Sequence, residues 1–101
     1  MLFSQKRQIA PQFPGGVANL KEQLTRNLRR EFKDFEDHPQ TLRINFSVTE
    51  KGKSFNGTAP GFIDQKVQKK IARAVRRLPR FKPGKADGIA ITSDVSIEIE
   101  L

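Results

Sequence analysis

Few residues in this chain have side chains that could carry out catalysis. Its 101 residues include one histidine and no cysteine, which excludes disulfides, thiolate metal sites and a histidine metal cluster. A Ser–His–Asp triad would depend on His38 alone, and this residue lies beside Pro39 in a polar segment typical of exposed histidines. Glu98 and Glu100 share one face of a strand pattern and could form a carboxylate pair, but we interpret them as a solvated face. We therefore expect a protein that is not an enzyme and that has no cofactor or metal site.

Positive charge is concentrated in one stretch of the chain. The protein has 19 Lys plus Arg and 11 Asp plus Glu, and its net charge of +8 equals that of residues 64–85, where nine basic residues accompany Asp64 alone. Such a stretch is either solvated, with its aliphatic stems covering apolar surface, or attractive to a polyanion such as acidic lipid, nucleic acid or an acidic protein. Phe81 is its single aromatic residue, which disfavours base stacking. Seven of these cations form a predicted basic face: Lys66, Lys69, Lys70, Arg73, Arg76, Arg77 and Arg80.

Hydrophobic spacing predicts two helices that position these residues. The first follows the turn signal Phe13-Pro14-Gly15-Gly16, ends before Pro39 and buries one apolar row: Val17, Leu20, Leu24, Leu28, Phe32 and Phe35. The second begins at Asp64, a predicted N-cap, and ends near Leu78, ahead of Pro79. Its apolar row is Val67, Ile71, Ala74, Val75 and Leu78.

Alternation of apolar and polar residues predicts three strands. The first covers residues 42–48, and a turn containing Gly52 leads into a weaker strand over residues 54–59, in which Asn56-Gly57 indicates an irregularity or a turn. Residues 82–88 carry loop and turn signals. The strongest alternation runs to the last residue, with apolar side chains at odd positions: Ile89, Ile91, Val95, Ile97, Ile99 and Leu101.

These elements, in the order α-β-β-α-β, predict an α+β fold. Two helices and three strands that each bury one face are satisfied by a two-layer sandwich, with a three-stranded antiparallel sheet carrying both helices on one face. We expect residues 1–12 to form an N-terminal arm or a short strand, and residues 13–101 to form one domain. The last strand is expected at an edge of the sheet, where it could pair with another chain.

Composition and apolar runs bear on location. Hydrophobic residues make up 36% of the chain and charged residues 30%, as in globular domains. No apolar run approaches the ~20 residues of a spanning helix, and residues 1–14 lack the apolar core of a signal peptide. We therefore expect neither a membrane anchor nor an export signal in this chain.

Several landmarks, in their order, resemble the C-terminal domain of TonB-type energy transducers. Phe13-Pro14-Gly15-Gly16 is similar to the opening of that domain, and residues 42–48, with Gly52 in the turn that follows, are similar to its first hairpin. The most specific similarity is Pro-Arg-Phe-Lys-Pro-Gly-Lys at residues 79–85, which resembles the loop before the last strand in that family. Phe81 of this loop is expected to pack back onto the core. The resemblance covers residues 12–101.

The resemblance implies a protein-binding function. In TonB-type domains the edge of the last strand pairs with a short extended segment, the TonB box, of an outer-membrane transporter and transmits work from the proton gradient. It also implies a periplasmic location if this chain belongs to a larger anchored protein. The matching positions in this sequence are Val95, Ser96, Ile97, Glu98, Ile99 and Glu100.

Two other functions remain open from the residues. The helix at residues 64–80 could bind nucleic acid or another polyanion, with an affinity that falls steeply with salt. Alternatively, the last strand could pair with its counterpart in a homodimer. Strand pairing with a different protein is the function we place first.

Overall fold

The computed structural model describes residues 8–33, 40–62 and 64–101, and it confirms the α+β class. Residues 34–39, which include the predicted core residue Phe35 as well as His38 and Pro39, lie outside this part of the chain. The elements in chain order are β1 (Gln8–Ile9), α1 (Gly16–Glu31), β2 (Thr41–Val48), β3 (Ser54–Thr58), α2 (Gln65–Arg76), β4 (Gly84–Ala86), β5 (Ile89–Ile91) and β6 (Ser93–Glu100).

The main sheet has the strand order β3-β2-β6, and both pairings are antiparallel. The β2–β6 ladder is regular from Thr41 opposite Glu100 to Val48 opposite Ser93. On β2 the even-numbered side chains are buried and the odd-numbered ones face outward, because successive residues of a strand point to opposite faces. The sheet therefore has one core face and one open face.

Both helices belong to the core on the same face of this sheet. Residues of α1, α2, β2 and β6 join in a single cluster of buried side chains. The side chain of Asp64 accepts a hydrogen bond from the Lys66 N–H, so the predicted N-cap is confirmed. The buried members contributed by these four elements are Leu20, Leu24, Leu28, Leu42, Ile44, Phe46, Val48, Ile71, Ala74, Val75, Ile97 and Ile99.

The prediction of a single sheet is wrong, because a second antiparallel sheet forms with the order β1-β4-β5. Asp87 and Gly88 both have positive φ, 51° and 81°, which is the backbone of a two-residue hairpin turn. The residues around this turn looked like loop in the sequence, yet Ala86 pairs with Ile89. The chain order is therefore β-α-β-β-α-β-β-β rather than α-β-β-α-β.

The second sheet exists because β2 ends too early to pair with the whole C-terminal alternation. Val48 is the last residue of β2, and it lies opposite Ser93. The backbone N–H and C=O groups of residues 89–91, upstream of Ser93, therefore need another hydrogen-bonding partner, and β4 is that partner. Residues at the amino end of the described chain extend this sheet, since β1 pairs with β4 and Gln12 exchanges two backbone hydrogen bonds with Lys82.

Both helices are shorter than their apolar rows predicted. The helix α1 ends at Glu31, with Phe32 as its C-cap and buried, while Val17 at the other end is 65% exposed rather than in the core. The helix α2 ends at Arg76, so Leu78 is buried beyond the helix and Arg80 does not belong to it. In the described part of the chain no helix is long and apolar enough to cross a membrane.

Two expectations about loops are confirmed. Phe81 is buried, with its ring centroid 4.9 Å from that of Phe13 and 5.7 Å from that of Phe46. In β3, Asn56 has a φ of 58° and the register with β2 shifts there, so Asn56-Gly57 marks an irregularity in the strand.

Candidate functional site

The strand β6 lies at one edge of the main sheet. It pairs with β2 on one side, and no strand among the described residues pairs with its other side. The opposite edge is β3, which has five residues and is interrupted by the irregularity at Asn56, whereas β6 has eight residues in continuous register. A long regular edge is the better template for a further strand.

The backbone groups on the outer edge of β6 belong to its even-numbered residues. The Leu101 N–H donates to the Gln40 carbonyl at 2.7 Å, which identifies this opposed pair as hydrogen-bonded. In an antiparallel ladder such pairs alternate with pairs that do not bond, so the odd-numbered residues of β6 direct their N–H and C=O groups to β2. The N–H and C=O groups that point outward are those of Asp94, Ser96, Glu98 and Glu100.

The six positions predicted for partner binding divide into two sets of three. Ile97 and Ile99 are buried and Val95 is half-buried, so these side chains hold β6 on the core. Ser96, Glu98 and Glu100 are exposed, and their backbone groups form the outer edge. Only the second set would contact a partner strand through the backbone, a division that follows from the register with β2.

A groove of about 750 Å³ runs between α1 and the end of β6. From β6 it is lined by Glu98, Ile99 and Glu100, so the outer edge of the strand forms one wall. The other wall is one side of α1, with residues at successive helical turns: Lys21, Glu22, Thr25, Arg26 and Arg29. The arrangement leaves room for an extended chain beside β6.

The α1 wall of the groove has a net positive charge. Arg26 is paired with Glu22 at 3.4 Å, and both side chains are exposed. Within the described ranges neither Lys21 nor Arg29 forms an ion pair. The sequence alone did not predict this wall, although Lys21, Thr25 and Arg29 follow a spacing of four residues that places them in one row of a helix.

The predicted basic face is partly directed at α1. Arg73 and Arg77 lie 3.6 and 3.4 Å from the two carboxylate oxygens of Glu31, whose side chain is only 8% exposed. Lys70 donates to the backbone carbonyl of the same residue at 2.7 Å, at the carboxyl end of α1. Three of the seven cations of the predicted basic face therefore connect α2 and its C-cap to α1.

The remaining cations of this face point elsewhere. Arg80 donates to the Lys51 carbonyl at 3.4 Å, next to the β2–β3 turn. Lys66, Lys69 and Arg76 are exposed, and no ion pair of theirs occurs among the residues that the structure describes. Phe81 is buried, so the one aromatic residue of the basic stretch is not available to stack on a nucleic-acid base.

The described residues contain no group of three or more His, Asp or Glu side chains that could hold a metal ion. In comparisons with known proteins the chain matches no family model, and no curated protein or solved structure is significantly similar to it. The resemblance to TonB-type domains therefore stays a prediction from the residues, and the edge of β6 must be judged on its own geometry.

Proposed function

We propose that this protein is a non-enzymatic binding module that adds an extended segment of another protein as a strand to β6. The observation that carries the proposal is the outer edge of β6, where four residues direct backbone donors and acceptors outward and two of them, Glu98 and Glu100, line the groove bordered by α1. The addition of a strand to a sheet edge recognises backbone rather than particular side chains, so it suits partners of varied sequence.

Backbone hydrogen bonds and packing together give such an edge a moderate affinity. Each hydrogen bond contributes about 0.5–1.5 kcal/mol net to the free energy of binding, because hydrogen bonds to water are exchanged for hydrogen bonds between the two proteins. Several bonds in a row also share a load that is applied along the strand. A TonB box of an outer-membrane transporter is the partner that the resemblance to energy transducers implies, and transmission of force in the periplasm would be its consequence.

Binding of a polyanion by α2 is the weaker alternative. Arg73 and Arg77 are held by Glu31, and Lys70 by the end of α1, so these three cations already have protein partners. The exposed cations Lys66, Lys69 and Arg76 leave a smaller surface than the sequence predicted. This alternative requires an affinity that falls steeply as salt rises.

The test is a substitution that blocks the outer edge and leaves the inner ladder intact. Ser96→Pro removes an outward N–H and places the proline ring on the edge, whereas Ile97→Pro would instead remove an N–H that bonds to β2. Ser96→Ala is the matched control, since it loses the hydroxyl that Arg43 contacts and keeps the N–H. The probe is a peptide of alternating threonine and valine, matched to the eight residues of β6.

Amide NMR spectra of the labelled protein report where the peptide binds. We expect shifts along residues 93–101 for the natural protein and for Ser96→Ala, and their loss in Ser96→Pro. Equal binding by Ser96→Pro, with dispersed spectra showing that it is folded, would contradict strand addition. Shifts confined to α2 would favour the polyanion alternative.

A further inference from the structure

The two walls of the groove beside β6 carry opposite charge. On the open face of the sheet, β6 presents Glu98 and Glu100 at the groove and Asp94 farther along the strand, and it presents no cation there. On the core side, the α1 wall presents Lys21 and Arg29 in addition to the paired Glu22 and Arg26. A strand inserted between these walls would meet negative charge on one face and positive charge on the other.

The side chains of β2 indicate which kinds of neighbouring side chain suit the open face of β6. Arg43 of β2 lies directly opposite Glu98, and its guanidinium donates to the Ser96 hydroxyl at 3.5 Å. Ser47 likewise donates to the Asp94 carboxylate at 2.8 Å. The inner neighbour of β6 thus offers this face a cation and hydrogen-bond donors, and it presents no carboxylate on the strand. An outer neighbour meets the same carboxylates.

We propose that the segment bound at β6 has alternating charge, with acidic side chains directed at α1 and basic side chains on the open face. The inference rests on the proposed strand addition. Successive side chains of a strand point to opposite faces. Alternation of acidic and basic residues in the partner therefore places all the acidic side chains towards α1 and all the basic ones on the open face. Lys21 and Arg29 would attract the acidic set, and Glu98 and Glu100 the basic set.

The same charges disfavour a second copy of this chain as the occupant. In an antiparallel pairing of two β6 strands centred on Ile97, Asp94 of each copy lies opposite Glu100 of the other. Like charges directly opposite each other on neighbouring strands are destabilising. Pairing of β6 with itself is therefore opposed by its own open face, while a partner with basic residues on that face is favoured.

Two peptides of identical composition and net charge test the inference. One alternates glutamate and lysine singly, and the other alternates them in pairs, Glu-Glu-Lys-Lys, which mixes both signs on each face. Both are matched in length to the eight residues of β6, and affinity and amide shifts are measured at low salt. We expect the singly alternating peptide to bind about tenfold more tightly, with an advantage that shrinks as salt screens the charges.

A charge reversal in the protein tests whether Lys21 and Arg29, rather than cations elsewhere on the surface, cause the preference for single alternation. The double variant Lys21→Glu and Arg29→Glu is expected to abolish the preference for single alternation. The control variant, Lys66→Glu and Lys69→Glu, has the same change in net charge on α2 and is expected to keep the preference. Retention of the preference after reversal of the α1 wall would overturn the proposed role of these two cations.

The outcomes distinguish this inference from the function on which it rests. If both peptides shift the resonances of residues 94–100 with equal affinity, strand addition stands and the charge pattern is wrong. If neither peptide shifts them while the uncharged threonine–valine peptide does, the charge pattern is again wrong. If none of the three peptides shifts them in a folded protein, the proposed function itself is overturned.

Discussion

Gly52 is the residue at which the turn after β2 meets the segment after α2. Its carbonyl accepts a hydrogen bond from the Phe81 N–H at 2.8 Å, and its φ of 85° lies in the left-handed region. A Cβ atom at this position would overlap the carbonyl oxygen of Phe81. Because this oxygen belongs to the backbone, a larger residue cannot be accommodated by a change of rotamer.

We expect Gly52→Ala to lower the free energy of unfolding by about 3 kcal/mol, since it combines backbone strain with a collision. Gly61 is the matched control, because it has a φ of 94° and no atom near the position of a Cβ. Gly61→Ala should cost only the strain, about 1 kcal/mol. Urea unfolding of both variants measures the difference, and equal losses would show that the contact with Phe81 is unimportant.

Glu31 is the second residue whose role depends on its surroundings. Its buried carboxylate pairs with Arg73 of α2 and with Arg77, the C-cap of that helix. We expect Glu31→Gln to destabilise the protein by about 1–2 kcal/mol, because two charge-assisted contacts are weakened at once. The control Glu22→Gln removes an exposed i,i+4 pair with Arg26 and should cost less than about 0.5 kcal/mol. Losses of the same size would contradict a special role for Glu31.

At the scale of elements, the register between β2 and β6 makes a prediction about hydrogen exchange. Amides at odd positions of β6 bond to β2 and are expected to exchange slowly, while those of Asp94, Ser96, Glu98 and Glu100 point outward and should exchange fast. Exchange measured residue by residue by NMR tests this alternation. Uniform protection along β6 would mean that its outer edge is already covered, which would contradict the proposed binding site.

The position of α2 is also decided between elements. Ser54 of β3 donates to the Val75 carbonyl at 2.7 Å, and Asn27 of α1 donates to the Ala74 carbonyl at 3.1 Å. The Val75 carbonyl also accepts from the Leu78 N–H at 3.1 Å, so the last turn of α2 is fixed by side chains of β3 and α1 together with its own terminal backbone hydrogen bond. The orientation of α2 then directs Arg73 and Arg77 towards α1, leaving less of its basic face to bind another molecule.

At the scale of the whole molecule, the C-terminal alternation is shared between two sheets with different burial. Ile89 in β5 is 70% exposed and Ile99 in β6 is 1% exposed, although both occupy odd positions of the same sequence pattern. We expect Ile99→Ala to cost about 2–5 kcal/mol and Ile89→Ala less than about 0.5 kcal/mol. The free energies of unfolding are measured by thermal or urea unfolding. Comparable losses for the two variants would mean that Ile89 is buried in the core, which would contradict the structure.

Signals over a few residues determined much of the fold. The spacing of Leu20, Leu24 and Leu28 predicted a helix, and alternation predicted β2 and β6, because these periodicities reflect which side chains face the same way within one element. The N-cap at Asp64 and the turn at Gly52 were equally visible, since each depends on local backbone chemistry. The six positions predicted for partner binding, residues 95–100, all lie in β6.

The tertiary structure decided the rest through contacts between residues far apart in the chain. That β2 ends opposite Ser93 divides the C-terminal alternation between two sheets and sets which backbone groups of β6 point outward. The packing of α1 beside β6 creates the groove, and the approach of Glu31 to α2 neutralises part of its basic face. Periodicity identifies the buried face of an element, but only packing determines which other element covers that face and which edge stays open.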